Sequence, residues 1–341
     1  MRRWFLAALA LLTAACSTSP DLQSIADDAS DGRRYGGVLV VVTRVDGERT
    51  VATAGTDAAD HPMSEDVVWR IGSITKTFTA VAVLQLAEQG TVDLDAPVAT
   101  YLDSTLVPEG VTVRHLLQHT SGIPDYTPTL NDVARSCPPS VDPLSYVEGL
   151  PPDFPPGARW AYSNTNYLIL GQLIEAVTGE PPAAIIRRRI IDPLGLADTY
   201  LEGSEPGPPP VPAFADFYDT GPGPITCDTP IWPDATEAGM VSSAADLDAF
   251  LRALFGGHLL SAATLEEMLA TNDEGYGLGI QRLLGSPVED VEFYGNGGGV
   301  VGYRSVALYE AGSGTTVVLM TPTGFVDIGE LQARTIEWAF R

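Results

Sequence analysis

The amino-acid sequence predicts an α+β fold, an α/β protein in which an antiparallel β-sheet is flanked by helices and joined to a mostly helical second region. Three observations carry that prediction. Runs rich in β-branched residues stand near both ends of the chain, runs of helical period fill the middle, and proline and glycine punctuate the boundaries. Strands from the two ends then share one sheet, with the helical region inserted between them.

Taken in order, residues 1–15 combine Arg2 and Arg3 with an apolar run over 4–12 and the small residues Thr13, Ala14 and Ala15 ahead of Cys16. This is the pattern of an export signal, and its apolar run is too short to span a bilayer as a stable anchor. Residues 16–35 read as a polar tether with a short helix near 22–29, and the folded domain is expected over 36–341. It opens with a two-stranded ribbon, because β-rich runs at 35–43 and 50–54 flank the hairpin signal Asp46-Gly47. Helical patterns follow at 73–88, 113–119, 166–178, 183–189, 244–255 and 262–270. Strands are predicted at 276–284, 288–294, 302–310 and 315–321, and a helix over 331–340 closes the chain.

A formal charge of −25, from 44 acidic and 19 basic residues, argues against nucleic acid or anionic lipid headgroups as electrostatic partners. A small molecule or peptide, for instance a cell-wall peptide, is the expected partner of a monomer. Cys137 and Cys227 lie in proline-rich surroundings, and an oxidising compartment permits them to pair. That disulfide would pin residues 205–234, which hold nine prolines with Phe214, Phe217, Tyr218 and Trp232. Such a long segment reads either as a lid or wall beside a site or as a passive surface insertion.

The chain has one lysine against 18 arginines, and that lysine, Lys76, stands three residues after Ser73. Phe78, Val81, Leu84 and neighbouring alanines make the predicted helix over 73–88 apolar around most of its circumference, so it is expected to be buried, with Gly90 as its stop. At a spacing of three the amine lies beside the hydroxyl, and an amine can give up its proton where a guanidinium cannot. Ser73 is thus a candidate nucleophile with Lys76 as proton acceptor. A plain N-cap role for Ser73 is compatible with the same position. Before the helix at 166–178 stand Tyr162, Ser163 and Asn164, which are either site residues or a core tyrosine and a cap. Residues 294–305 carry glycines at 295, 297, 298, 299 and 302, a pattern of close backbone approach in a strand.

Ser73-x-x-Lys76, Tyr162-Ser163-Asn164 and the glycine-bearing segment from Gly295 to Ser305, in that order, resemble the motifs of the serine β-lactamase and penicillin-binding-protein superfamily. The resemblance is to its class C β-lactamase and D-alanyl-D-alanine carboxypeptidase branch, which also contains esterases, and it covers about residues 36–341. Segments 116–122, 192–196 and 239–243 also look familiar. The resemblance implies a β-lactamase/transpeptidase-like fold and an acyl-enzyme mechanism without metal or cofactor. Ser73 would be the nucleophile, and Lys76 and Tyr162 would share the proton transfers. The N–H groups of Ser73 and Gly299 would bind the oxyanion, and Asn164 and Asn296 would contact the substrate. By a separate resemblance to bacterial lipoprotein signals, Cys16 would carry a lipid and tie the exported domain to the cell membrane.

Asn296 departs from the pattern, since such proteins usually carry histidine or lysine there. Weaker carboxylate recognition is implied, away from an efficient β-lactamase and towards a peptidase or esterase, with a weak class C-type β-lactamase as the alternative, unless a nearby arginine restores the charge. A reading of another class is a non-catalytic envelope lipoprotein that keeps the fold for binding or regulation. His115 and His119 have the spacing of a zinc helix but no glutamate after His115, which favours structural roles, and no Gly-x-Ser-x-Gly elbow occurs.

Overall fold

The computed structural model of the chain describes residues 21–31, 36–127, 142–215, 223–224, 232–300 and 302–341. The export segment with Cys16, the Cys137–Cys227 pair, Phe217 and Tyr218 lie outside the described residues. The elements in chain order are α1 (Leu22–Ser30), β1 (Val38–Thr43), β2 (Arg49–Ala54), β3 (Val68–Arg70), α2 (Thr75–Glu88), α3 (Val113–Leu117), α4 (Asn164–Thr178) and α5 (Pro182–Ile186). There follow α6 (Asp192–Leu194), β4 (Tyr200–Leu201), β5 (Phe214–Ala215), β6 (Gly223–Pro224), β7 (Met240–Ser243), α7 (Ala244–Phe255) and α8 (Ala262–Leu269). The last are β8 (Gln281–Arg282), β9 (Phe293–Val300), β10 (Tyr303–Glu310), β11 (Thr316–Thr321) and α9 (Ile328–Ala339).

Strands from both chain ends do share one antiparallel sheet, in the order β2-β1-β11-β10-β9-β8. β1 and β11 pair centrally, with Val41 opposite Val318, and every residue of both strands is buried. Their side chains alternate between two cores. Val38, Val40, Val42, Val317 and Leu319 face α1 and α9, whereas Leu39, Val41, Val318 and Met320 join the larger core with α2 and α7. Burial on both faces explains why these strands read as continuous apolar runs.

Helix α1 belongs to the domain. Leu22, Ile25 and Ala26 share one face at spacings of three and four and are buried against the sheet, so α1 packs into the folded unit although it precedes residue 36. α2 is buried almost all round, as its apolar circumference requires, and Phe78 stacks on Phe250 of α7 with ring centres 3.7 Å apart. A smaller sheet, β3-β7-β4, leads the chain into α2.

Two strand boundaries differ from those expected. Over 276–284 only β8 remains extended, because Gly277 N–H donates to Ile280 O and Gly279 adopts φ +77°, folding the backbone back on itself. The strand expected at 288–294 begins only at Phe293, past a turn in which Asp290 takes φ +60°, and then runs through the glycines to Val300. β8 pairs with β9 only at Tyr294 and Gly295, so the rest of that edge of β9 has no neighbouring strand among the described residues.

Candidate active site

The chain enters α2 through a 3₁₀ turn over Gly72–Ile74, and Ser73 stands in it, partly exposed. The N-cap position of that turn is Ile71, so a capping role for Ser73 is not realised. Two glycines let β9 come within backbone contact of this turn. Gly72 adopts φ +53°, and a Cβ there would lie 2.7 Å from Gly299 N; a Cβ on Gly298 would lie 1.9 Å from Ile71 O. Ser305 Oγ, opposite Gly298 in the ladder, donates to Ile71 O at 3.0 Å and fastens the strand to the turn. Gly299 N is therefore brought against the turn that carries Ser73, the region where an oxyanion donor is needed.

Lys76 is 1% exposed, the second residue of α2, and its Nζ has three neighbours: Ser73 Oγ at 3.0 Å, Asn164 Oδ1 at 2.7 Å and Glu237 O at 2.8 Å. As an ammonium it donates to all three. As an amine it keeps the two bonds to carbonyl oxygens and turns its lone pair to the hydroxyl. One geometry thus serves both protonation states. Tyr162 OH donates to Ser73 Oγ at 2.7 Å from the other side, and Nζ lies 4.9 Å from the Tyr162 ring centre.

Asn164 begins α4 and is fixed by groups that sequence spacing did not reveal. Its main-chain N–H donates to Asp125 Oδ1 at 3.0 Å, and its Nδ2 donates to Thr127 Oγ1 at 2.8 Å, which forces Oδ1 towards Lys76. The N-cap residue Ser163 instead donates from Oγ to Pro124 O, and a carboxylate from another loop does the capping.

His119 is wholly buried beneath Tyr162, with ring centres 4.4 Å apart. Burial, reinforced by the Lys76 charge, pushes its imidazole well below the usual histidine range, so it stays neutral. Ser163 N–H donates to Nδ1 at 3.1 Å, which leaves Nε2–H to donate to Tyr276 OH at 3.1 Å. His119 takes φ +57°, ending α3 two residues before it. His115 completes a capping box with Thr112, so neither histidine is placed as a zinc-helix ligand.

Asn296 is 5% exposed, and its Nδ2 donates to Thr77 Oγ1 at 2.7 Å and Gly279 O at 2.9 Å. Both amide hydrogens are engaged inside the protein, joining β9 to α2, so only Oδ1 remains for any other contact. Arg304 is a cation on β10 beside this strand. It stands opposite Gly299, and its Nη1 would lie 3.4 Å from a Cβ placed there. Nη1 donates to Tyr303 O at 2.9 Å, and no carboxylate pairs with this arginine among the described residues.

The beta-lactamase family model matches residues 22–332. Esterase EstB of Burkholderia gladioli is 32% identical over 237 residues, covering 62% of this chain and 57% of that protein. Penicillin-binding protein 4* of Bacillus subtilis is 28% identical over 272 residues, covering 73% and 59%. The chain thus spans under two thirds of the length of these relatives. Among solved structures, a D-stereospecific amidohydrolase from Streptomyces sp. superposes with a TM-score of 0.80 at 32% identity, covering 92% of this chain and 98% of the other. A D-amino acid amidase from Ochrobactrum anthropi SV3, complexed with D-phenylalanine, gives 0.79 at 26% identity, covering 94% and 98%. With Ser73, Lys76 and Tyr162 brought together against the β9 edge, the chain belongs to the beta-lactamase family, within the serine β-lactamase and penicillin-binding-protein superfamily.

Proposed function

We propose that this chain hydrolyses amide or ester bonds of D-configured amino-acid or peptide derivatives through an acyl-enzyme on Ser73, as a D-alanyl-D-alanine carboxypeptidase-like peptidase or esterase. The observation that carries this reading is the convergence of Lys76 Nζ and Tyr162 OH on Ser73 Oγ beside the exposed Gly299. Ser73 Oγ attacks the carbonyl carbon while its proton passes to the Lys76 amine. The oxyanion is bound by the N–H groups of Ser73 and Gly299. As the tetrahedral adduct collapses, Tyr162 protonates the leaving nitrogen or oxygen and regains a proton from Lys76. Water then repeats the sequence on the acyl group, giving its proton to the same pair and releasing Ser73.

Preference for the D configuration is supported by the two amidohydrolases that this chain resembles over nearly its whole length. Because the Asn296 donors are engaged internally, Arg304 is the group proposed to attract a substrate carboxylate. The signal-like residues 1–15 support the proposal that the reaction runs outside the cytoplasm, with Cys16 as the lipid anchor.

The test is a substrate panel: the p-nitroanilides of D- and L-alanine, an N-acyl-D-Ala-D-Ala peptide and a neutral p-nitrophenyl ester. The D-anilide should exceed its enantiomer at least about tenfold. A charge-assisted bond contributes about 1.5–3 kcal/mol, so Arg304→Ala should lower kcat/KM on the free-carboxylate peptide about 10- to 100-fold while sparing the neutral ester. A folded protein inert on the whole panel would point to a binding module instead.

A further inference from the structure

Glu237 lies between β6 and β7, fully buried, and the chemistry above uses only its main chain. Its carbonyl O is one of the acceptors that hold Lys76 Nζ, at 2.8 Å. Its side chain turns the other way. Oε1 accepts from Tyr126 OH at 2.8 Å, and Oε2 has no hydrogen-bond partner among the described residues. Tyr126 is itself buried, and its main-chain N–H donates to Thr165 Oγ1 on α4 at 3.2 Å. The residue before it, Asp125, supplies the carboxylate that orients Asn164. On the other side of Glu237, Thr236 accepts at its carbonyl from Thr79 Oγ1 of α2 and donates from Oγ1 to Tyr167 O of α4, each at 2.7 Å.

Two acceptors of Lys76 therefore depend on one junction. The Glu237 carbonyl belongs to it directly, and Asn164 Oδ1 is set by the 125–127 segment that Glu237 holds through Tyr126. We propose that Glu237 is a positioning residue for the acyl-transfer site, whose side-chain bond to Tyr126 fixes both carbonyl oxygens that orient Lys76 Nζ towards Ser73. This rests on the reading of Ser73 and Lys76 given under Proposed function.

The bond asks for an acceptor at Oε1, not for a charge. An ionised carboxylate with one oxygen unpaired in a dry interior is costly, and burial raises the Glu237 carboxyl above its usual range despite the opposing pull of Lys76 and the Tyr126 bond. The charged and titratable groups facing it are Lys76 on α2 and Tyr126 and Asp125 on the adjoining loop, the last of which also disfavours ionisation. A carboxyl whose folded value is raised contributes stability below its unfolded value, near 4.5, and that contribution is lost as pH rises through the folded value.

The experiment compares Glu237→Gln, Glu237→Ala and Tyr126→Phe with wild type and with Ser73→Ala on one activated ester. Glutamine keeps a neutral acceptor, so Glu237→Gln should retain kcat within about threefold and lose part of the fall in melting temperature that wild type shows as pH rises above about 5. Glu237→Ala and Tyr126→Phe should lower kcat about 10- to 100-fold with KM within about twofold, because the lysine is misplaced and the binding edge on β9 is untouched. If Glu237→Ala fails to fold, Tyr126→Phe carries the test. Wild-type kcat in the folded Tyr126→Phe or Glu237→Ala variant overturns the proposal, as does a Glu237→Gln variant no better than alanine. Activity surviving in Ser73→Ala would instead overturn the reading on which it rests.

Discussion

Lys76→Ala should lower kcat/KM on an activated ester by about 10³–10⁴-fold while the protein stays folded, the upper range for removing a general base. The amine is 1% exposed and bound by Ser73 Oγ, Asn164 Oδ1 and Glu237 O. Loss of a donor to two buried carbonyl oxygens should cost about 1–3 kcal/mol of stability, too little to unfold an ordinary domain. Lys76→Arg should not restore the rate, because a guanidinium stays protonated and cannot accept the Ser73 proton. Steady-state kinetics with a thermal melt on each variant check this. Turnover near wild type in folded Lys76→Ala removes the lysine from the proton transfer.

Gly298→Ala should damage both stability and rate. The added methyl would fall 1.9 Å from Ile71 O and 2.4 Å from Ser305 Oγ, so β9 must move away from the nucleophile turn. A displacement of about 1 Å is enough to lower kcat/KM about a hundredfold, and overpacking of this kind costs about 1–3 kcal/mol. Gly297→Ala is the matched control. Its methyl would meet nothing nearer than Ser305 O at 3.9 Å, and both stability and rate should stay within a few-fold of wild type. Equal behaviour of the two variants, measured by denaturant midpoint and kcat/KM, would mean that β9 is not held by the Gly298 contact.

The parts of this site that could be read from sequence are those set by short spacings. Ser73 and Lys76 are three residues apart on one helix, and helical geometry alone brings their side chains together. The terminal strands were equally readable, because burial on both faces leaves long β-branched runs in β1 and β11. What could not be read is whatever arrives from a distant segment. Asp125 reaches Asn164 across 39 residues and Glu237 reaches Lys76 across 161, and nothing local in either residue signals the contact. Local preference gives way where tertiary contact prevails. The glycines after Phe293 argue against a strand by propensity, yet the segment forms one, and at Gly298 only glycine fits against Ile71 O. Asn296 was legible as a departure in charge, but its use as an internal tie to Thr77 and Gly279 required the fold.

The most direct test of the central claim is intact-protein and peptide mass spectrometry during turnover of a slowly deacylating ester, run on wild type and on Ser73→Ala. The account predicts an acyl adduct on the peptide that contains Ser73, accompanied by a burst of product equal to the enzyme concentration, and neither in the variant. Equal turnover in the variant, or hydrolysis by wild type with the adduct elsewhere, contradicts it.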